Sequence, residues 1–224
     1  EAGGSERRFW LQVPIGYGKS FYDPRVNWMG HTEAEPALAG RAGYWPRGKV
    51  LGGSSSINAM VFVRGQHEDF DAWQAMGNAG WGWAEVLPYF RKLEDSARGP
   101  DAWRGRGGPV AVADVTRDLH PLCDAFVRAG VEIGLARNAD FNGATQEGVG
   151  CYEINVRDGL RMSAARAYLR PAMKRTNLRV ETGAHATRIL FDGTRATGVA
   201  YVRDGVACTA RAAREVIVCA GAVN

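Results

Sequence analysis

Trp45-Pro46-Arg47-Gly48-Lys49-Val50-Leu51-Gly52-Gly53-Ser54-Ser55-Ser56-Ile57-Asn58-Ala59-Met60, followed by Val61-Phe62-Val63-Arg64-Gly65, is the stretch that decides the fold. Paired glycines, three consecutive serines and an asparagine make a loop whose backbone can approach a flat, polar ligand closely and offer it many N–H donors. The run reads as a cofactor cradle.

Two phosphate-loop near misses surround it. Gly43 to Lys49 fits G-x-x-x-x-G-K but is followed by Val50, where a magnesium-binding hydroxyl belongs, and Gly18-Lys19-Ser20 has Val13 in place of the first glycine. Each fails at a chemically necessary position. No G-x-S-x-G elbow occurs, so serine hydrolase chemistry has no support.

With 224 residues, 46% hydrophobic and 23% charged, the chain has an ordinary globular composition, enough for one large domain or two small ones. Its net charge of +4 rests on arginine, since Lys19, Lys49, Lys92 and Lys174 are the only lysines. The basic residues are dispersed, which argues for solvated faces and against nucleic acid as a partner. No apolar run approaches the roughly 20 residues of a membrane helix, and the first residues lack a secretory leader. A cytoplasmic, soluble chain is expected, with peripheral attachment to an inner membrane as the alternative. Cys123, Cys151, Cys208 and Cys219 form no C-x-x-C pair and read as reduced core residues.

Periodicity predicts helices over Phe70 to Met76, Trp83 to Leu93 and Pro121 to Ile133, the last with Asp118 as cap, and a polar loop from Arg98 to Pro109. Ser163 caps a helix running to about Lys174 that Pro171 bends. Strands are expected at Leu178 to Glu181, Thr187 to Phe191, Thr197 to Val202 and Val216 to Cys219, with hairpin turns at Asp192-Gly193 and Asp204-Gly205. Strands joined by such turns form an antiparallel meander.

At the opening run the chain resembles the glucose-methanol-choline (GMC) family of FAD-dependent alcohol oxidoreductases, whose first signature reads R-G-K-x-L-G-G-S-S-x-x-N. The likeness continues through Glu68-Asp69-Phe70-Asp71-Ala72-Trp73, Gly80-Trp81 and Leu87-Pro88-Tyr89-Phe90. It resumes at Asp140-Phe141-Asn142-Gly143, Ser163-Ala164-Ala165-Arg166-Ala167-Tyr168-Leu169, Asn177-Leu178-Arg179-Val180 and Gly221-Ala222-Val223-Asn224. It implies a fold of α/β class with α+β elements. An FAD-binding, Rossmann-like domain with a β-meander is joined by part of a substrate-binding domain, and both ends are incomplete. The implied division is 1–80 and 161–224 for the FAD domain and 81–160 for the substrate portion.

The resemblance also implies a set of cofactor contacts. Glu1, followed by Ala2-Gly3-Gly4, is the carboxylate that accepts the adenosine ribose hydroxyls. Gly52, Gly53 and Ser54 line the pyrophosphate and ribityl side, Asn58, Ala59, Met60 and Val61 lie along the flavin ring, and the backbone of Ala186 meets adenine. Ala220 and Gly221, at the second signature, complete the set. Covalent members place a histidine immediately before the asparagine; Ile57 stands there, so the FAD is expected to be held non-covalently.

The family's catalytic pair, a histidine with a second histidine or asparagine, comes much later than any residue here. No catalytic residue is therefore assigned, and the chain reads as the central fragment of a longer enzyme, inactive alone. That enzyme oxidises a primary alcohol or choline-like small molecule and passes electrons to oxygen or a quinone-linked carrier. The rival reading is a noncatalytic FAD- or nucleotide-binding module, or a decayed scaffold. His185 and the His67-Glu68-Asp69-Asp71 group are read as structural: a strand histidine without a partner, and a charged helix start favoured by the macrodipole. Tyr152 and Asn155 are weak candidates for pocket walls.

Overall fold

The structure, a computed structural model, describes residues 1–223; Asn224, which closes the second-signature motif, lies outside the described residues. Helices and strands are mixed, and the strands form small antiparallel sheets with one short parallel pair.

A hairpin of β1 (Gly30–Glu35) and β2 (Arg41–Trp45) precedes the cradle run. Helix α1 spans His67–Ala75, beginning earlier than its apolar spacing suggests, because the Asp69 carboxylate accepts the Gln66 N–H at 2.9 Å and closes the first turn. Helix α2 spans Trp83–Leu93 and is tied to α1 where Asp71 Oδ1 accepts the Trp83 N–H at 2.9 Å. Between the two helices Phe70 meets Phe90 edge to face at 5.6 Å, and His67 stacks on Trp83 at 4.0 Å. The group His67, Glu68, Asp69 and Asp71 thus serves the helix ends and the aromatic contact, as the structural reading expects.

Strands β3 (Glu94–Ser96) and β4 (Val110–Val112) pair in parallel, spanned by the expected polar loop. Helix α3 spans Pro121–Glu132. Its cap is His120, whose Nδ1 accepts the Leu122 N–H at 3.2 Å, and not Asp118, which is taken up in a 3₁₀ turn at Thr116–Asp118. The short hairpin β5 (Val156–Arg157) and β6 (Leu160–Arg161) follows. Ser163 Oγ accepts the Arg166 N–H at 3.2 Å, so the predicted cap is present. The helix it opens is a π-helical turn, Ala165–Leu169, running into Arg170–Ala172. Pro171 has no N–H to complete a regular α-helical ladder, and the wider turn accommodates it.

Strands β7 (Ala184–Asp192), β8 (Arg195–Arg203) and β9 (Val206–Arg211) form the antiparallel meander, in sequential order. Asp204 and Gly205 both have positive φ, 50° and 76°, the mirror-image turn that matches strand twist. The first turn falls one residue later than expected, on Gly193-Thr194, with Asp192 paired to Arg195.

Two strand expectations are corrected. Leu178 to Glu181 is extended but unladdered; the Glu181 carbonyl accepts from the N-terminus at 3.1 Å, and its carboxylate pairs with Arg179 and with Arg203 of β8. Val216 to Cys219 has a buried strand's composition, yet Ile217 is 75% exposed and no strand lies beside it among the described residues. Apolar composition supplies a face to bury; a strand also requires a neighbour to satisfy its backbone. The cysteine expectation is corrected as well: all are free, but none is fully buried and Cys219 is exposed.

Leu11, Val26, Val50 and Ile57 form one core cluster, and Ala111, Met162 and Ala167 another. The first lies directly beneath the cradle run. No helix among the described residues is long and apolar enough to cross a membrane.

Candidate functional site

Val50 and Ile57 are sunk completely, at 0% and 2% exposure, and pin both ends of the Gly52–Ser56 bend to the core. Burying two side chains of this size contributes about 1.5–3 kcal/mol each. Between them Gly52 and Gly53 adopt φ of 87° and 54° and lead into a 3₁₀ turn, Gly53–Ser56. A Cβ on Gly52 would sit 2.6 Å from Ser56 Oγ, and one on Gly48 would sit 2.3 Å from the Gly53 carbonyl carbon. Those two glycines are required by close packing inside the loop. Gly53 differs, since a Cβ there would meet only open space.

The serine hydroxyls serve the loop itself. Ser54 Oγ accepts the Gly48 N–H at 3.1 Å, Ser55 Oγ donates to the Gly52 carbonyl at 2.5 Å, and Ser56 Oγ donates to the Leu51 carbonyl at 2.8 Å. With its shape held by side chains, the loop keeps backbone donors free. Ala59 and Val61, both exposed, give their N–H groups to no protein acceptor among the described residues. Met60 between them is buried and has φ of 64°, a left-handed conformation that costs a non-glycine residue about 1–2 kcal/mol. Asn58 offsets that cost, because its side-chain oxygen accepts the Met60 N–H at 3.0 Å. From behind, Asn155 donates its N–H to the Met60 carbonyl at 2.8 Å. Asn155 therefore braces the loop through its backbone, while Tyr152 is half exposed and packs on Phe141 at 4.9 Å.

Glu1 to Gly4 run along one edge of this loop. Leu51 N–H donates to the Gly4 carbonyl at 3.0 Å, and a Cβ on Gly3 would lie 1.8 Å from the Lys49 carbonyl oxygen. On the other side Ala184 and Gly183 donate to the carbonyls of Glu1 and Gly3 at 2.9 and 3.1 Å. The Glu1 carboxylate curls over this junction, one oxygen accepting the Gly3 N–H at 2.8 Å. Ala186 lies two residues further along β7, exposed. Its neighbour His185 packs on Trp28 with ring centroids 5.2 Å apart, and Lys49 Nζ lies 4.8 Å from the same ring.

Glu1, the Gly52–Val61 loop and the start of β7 are thus brought to one edge of the molecule. Ala220 and Gly221 lie in an exposed segment that makes no hydrogen bond to the loop among the described residues. The glycine floor, the open space above Gly4 and Gly53 and the two free amides are compatible with a flat dinucleotide.

One residue beneath the loop gave no signal in the sequence. Arg161, 2% exposed, donates from Nε to the Leu11 carbonyl at 3.0 Å and from Nη1 to the Ser55 carbonyl at 3.2 Å and Asn58 Oδ1 at 2.8 Å. Its Nη2 is buried without a protein partner. Burial lowers its pKa to about 10, so the guanidinium stays charged at neutral pH, at an energetic cost of about 3 kcal/mol.

A second buried group was equally unforeseen. Arg104, wholly buried, reaches Glu94 Oε1 at 2.6 Å, Asp140 Oδ1 at 2.7 Å and Glu153. The Glu94 contact is an ion pair without hydrogen-bond geometry. Arg64 pairs with Glu94 Oε2 at 2.5 Å, and Arg98 with Glu153 at 3.1 Å. Burial disfavours the charge on Arg104, and Glu94, Glu153 and Asp140 together outweigh it and raise its pKa. For Glu153 burial wins over the nearby arginines and pushes the carboxyl above its ordinary value. Beside this network, His67, Trp83, Asn142 and Gln146 line a shallow open cleft of about 160 Å³.

The profile of the GMC oxidoreductase family matches residues 27–224. The chain belongs to that family. This GMC chain is 46% identical over 222 residues to human mitochondrial choline dehydrogenase, covering 99% of itself and 37% of that enzyme. Among solved structures it is similar to pyridoxine 4-oxidase from Mesorbium loti, with a TM-score of 0.88 and 34% identity over 94% of this chain and 42% of that one. It is also similar to an FAD-dependent oxidoreductase from Chaetomium thermophilum, with a TM-score of 0.83 and 29% identity over 95% of this chain and 39% of that one. The chain therefore spans about two fifths of the length of these proteins.

Proposed function

We propose that this GMC chain forms the cofactor-holding part of an FAD-dependent oxidoreductase acting on a primary alcohol or a choline-like substrate. The observation that carries the reading is the pair of free amides at Ala59 and Val61, set on a glycine-rich floor beside the Glu1 carboxylate. FAD bound there would supply the hydride-accepting ring. Ala59 and Val61 would donate to its polar edge as fixed dipoles, which favour negative charge without reorganising. Gly52, Gly53 and Ser54 would run beside the pyrophosphate and ribityl chain, Glu1 would accept from the ribose, and the Ala186 backbone would meet adenine.

Ala220 and Gly221 are assigned to the cofactor by the family signature. We assign 1–80 and 161–224 to the FAD domain and 81–160 to the substrate portion.

Ile57 is buried in the core beneath the loop and offers no nucleophile to the cofactor, so the FAD is held non-covalently. None of His31, His67, His120 and His185 makes a hydrogen bond or ring contact with the Gly52–Val61 loop among the described residues, and the role read for this chain's residues is to bind and orient. On this reading the 224-residue chain alone does not turn over. Electrons leave to oxygen or to a quinone-linked carrier. Mixing the FAD-loaded protein anaerobically with choline and with short primary alcohols tests the substrate class. Bleaching of the oxidised-flavin absorbance by one of them, when the chain is part of a protein that also provides a catalytic base, supports the reading; oxidation by the 224-residue chain alone contradicts it.

A further inference from the structure

We propose that Arg161 is the positioning residue of the flavin loop: it sets the Asn58–Met60 turn through Asn58 Oδ1 and places a buried positive charge beneath the segment that holds the flavin ring. The inference rests on the reading of the loop as an FAD site.

The loop's exposed donors are useful only in one conformation, which the chain does not favour by itself. Met60 must sit at φ of 64° for the amides of Ala59 and Val61 to stay free while its own N–H is satisfied. The acceptor that satisfies it, Asn58 Oδ1, is oriented by Arg161 Nη1 at 2.8 Å. The same guanidinium grips the Ser55 carbonyl on the near side of the bend and the Leu11 carbonyl in the core beneath. One planar fork therefore ties the β6 strand to two segments far from it in sequence, Leu11 and the Ser55–Asn58 bend, a geometry lysine cannot reproduce.

The charge is a second, separable feature. No carboxylate forms a salt bridge with Arg161 among the described residues, in contrast to Arg64, Arg98 and Arg104. All its recorded acceptors are neutral oxygens, and Nη2 is spare. An uncompensated buried cation is costly, and it stabilises negative charge developing nearby. Reduced flavin carries more negative charge than oxidised flavin, so Arg161 raises the reduction potential as well as shaping the loop.

The test uses the FAD-loaded protein and measures FAD affinity and midpoint potential for wild type, Arg161→Met, Arg161→Lys and Asn58→Ala. Arg161→Met is expected to bind FAD at least tenfold more weakly. It should also lower the affinity for reduced relative to oxidised flavin about tenfold, a fall of about 30 mV for a two-electron couple. Arg161→Lys loses affinity but keeps its potential near wild type, because the charge remains. Asn58→Ala loses affinity alone.

A merely structural arginine would lower stability in both Arg161 variants and leave the potential of the bound flavin unchanged; that result overturns the charge role. If Arg161→Met yields no folded protein, wild-type affinity in both Arg161→Lys and Asn58→Ala overturns the positioning role. Failure of the wild type to bind FAD removes the site itself, and this inference falls with it.

Discussion

Glu1 and Ala184, the first residue of β7, are far apart in sequence and are joined by a 2.9 Å hydrogen bond from the Ala184 N–H to the Glu1 carbonyl. Two residues on, Gly3 is pressed against Lys49 so closely that any side chain would strike its carbonyl oxygen. The three segments assigned to adenosine, pyrophosphate and adenine therefore meet at one seam, and the seam tolerates only glycine at its centre.

Gly3→Ala is expected to destabilise the protein by about 1–3 kcal/mol, because the added Cβ must push the Lys49 backbone away. Gly4, where a Cβ meets open space, serves as the comparison: Gly4→Ala should stay within about 0.5 kcal/mol of wild type. Urea unfolding of both variants checks this, and equal midpoints would show that the seam is not tight.

Removing Arg104 leaves Glu94 and Glu153 buried without their central counter-charge. Arg104→Met should cost about 3–5 kcal/mol, far more than Arg25→Met, whose exposed pair with Asp23 contributes little. Chemical unfolding compares the two, and similar losses would mean that the buried network is no stronger than a surface pair.

Glu153 gives the network a pH signature. Its folded pKa is raised by burial above the ordinary 4.5, so the folded chain holds that proton more tightly than the unfolded chain. The stability it contributes is full below that ordinary value and is lost as pH rises through the folded pKa. The difference in unfolding free energy between wild type and Glu153→Gln should therefore shrink or reverse as pH increases across this window. A difference that grows with pH contradicts the assignment.

Ile57 predicts the state of the flavin. Acid precipitation of the FAD-loaded protein should release all the cofactor into the supernatant. Yellow pellets would show a covalent link and would call for another attachment residue.

Much of this architecture was legible in the residues, for reasons that are local. Asp204-Gly205 announced its turn because glycine and aspartate accept positive φ, and the glycine-serine run announced a loop because its chemistry is contained in a few consecutive positions. The missed features depend on distance. Arg161 meets Leu11 across 150 positions, and Arg104 meets Glu153 across 49, and nothing beside either arginine signals its partner. Val216 to Cys219 erred in the opposite direction, reading as a strand by composition while its pairing depends on a neighbour that local pattern does not contain. Asp118 lost the cap to His120 because Pro121 fixed the helix start beside the histidine, two residues beyond the aspartate.

The most direct test is a titration of FAD into flavin-free protein, for wild type and for Gly53→Leu, followed by flavin fluorescence. Gly53 faces open space, so a Cβ added there meets no protein atom within 4 Å, and the substitution also carries the strain of φ at 54°. Saturable binding of one FAD per wild-type chain, lost in a Gly53→Leu variant that still folds, is the predicted result. No saturable binding by wild type, or equal binding by both proteins, would contradict the assignment of this loop to the flavin.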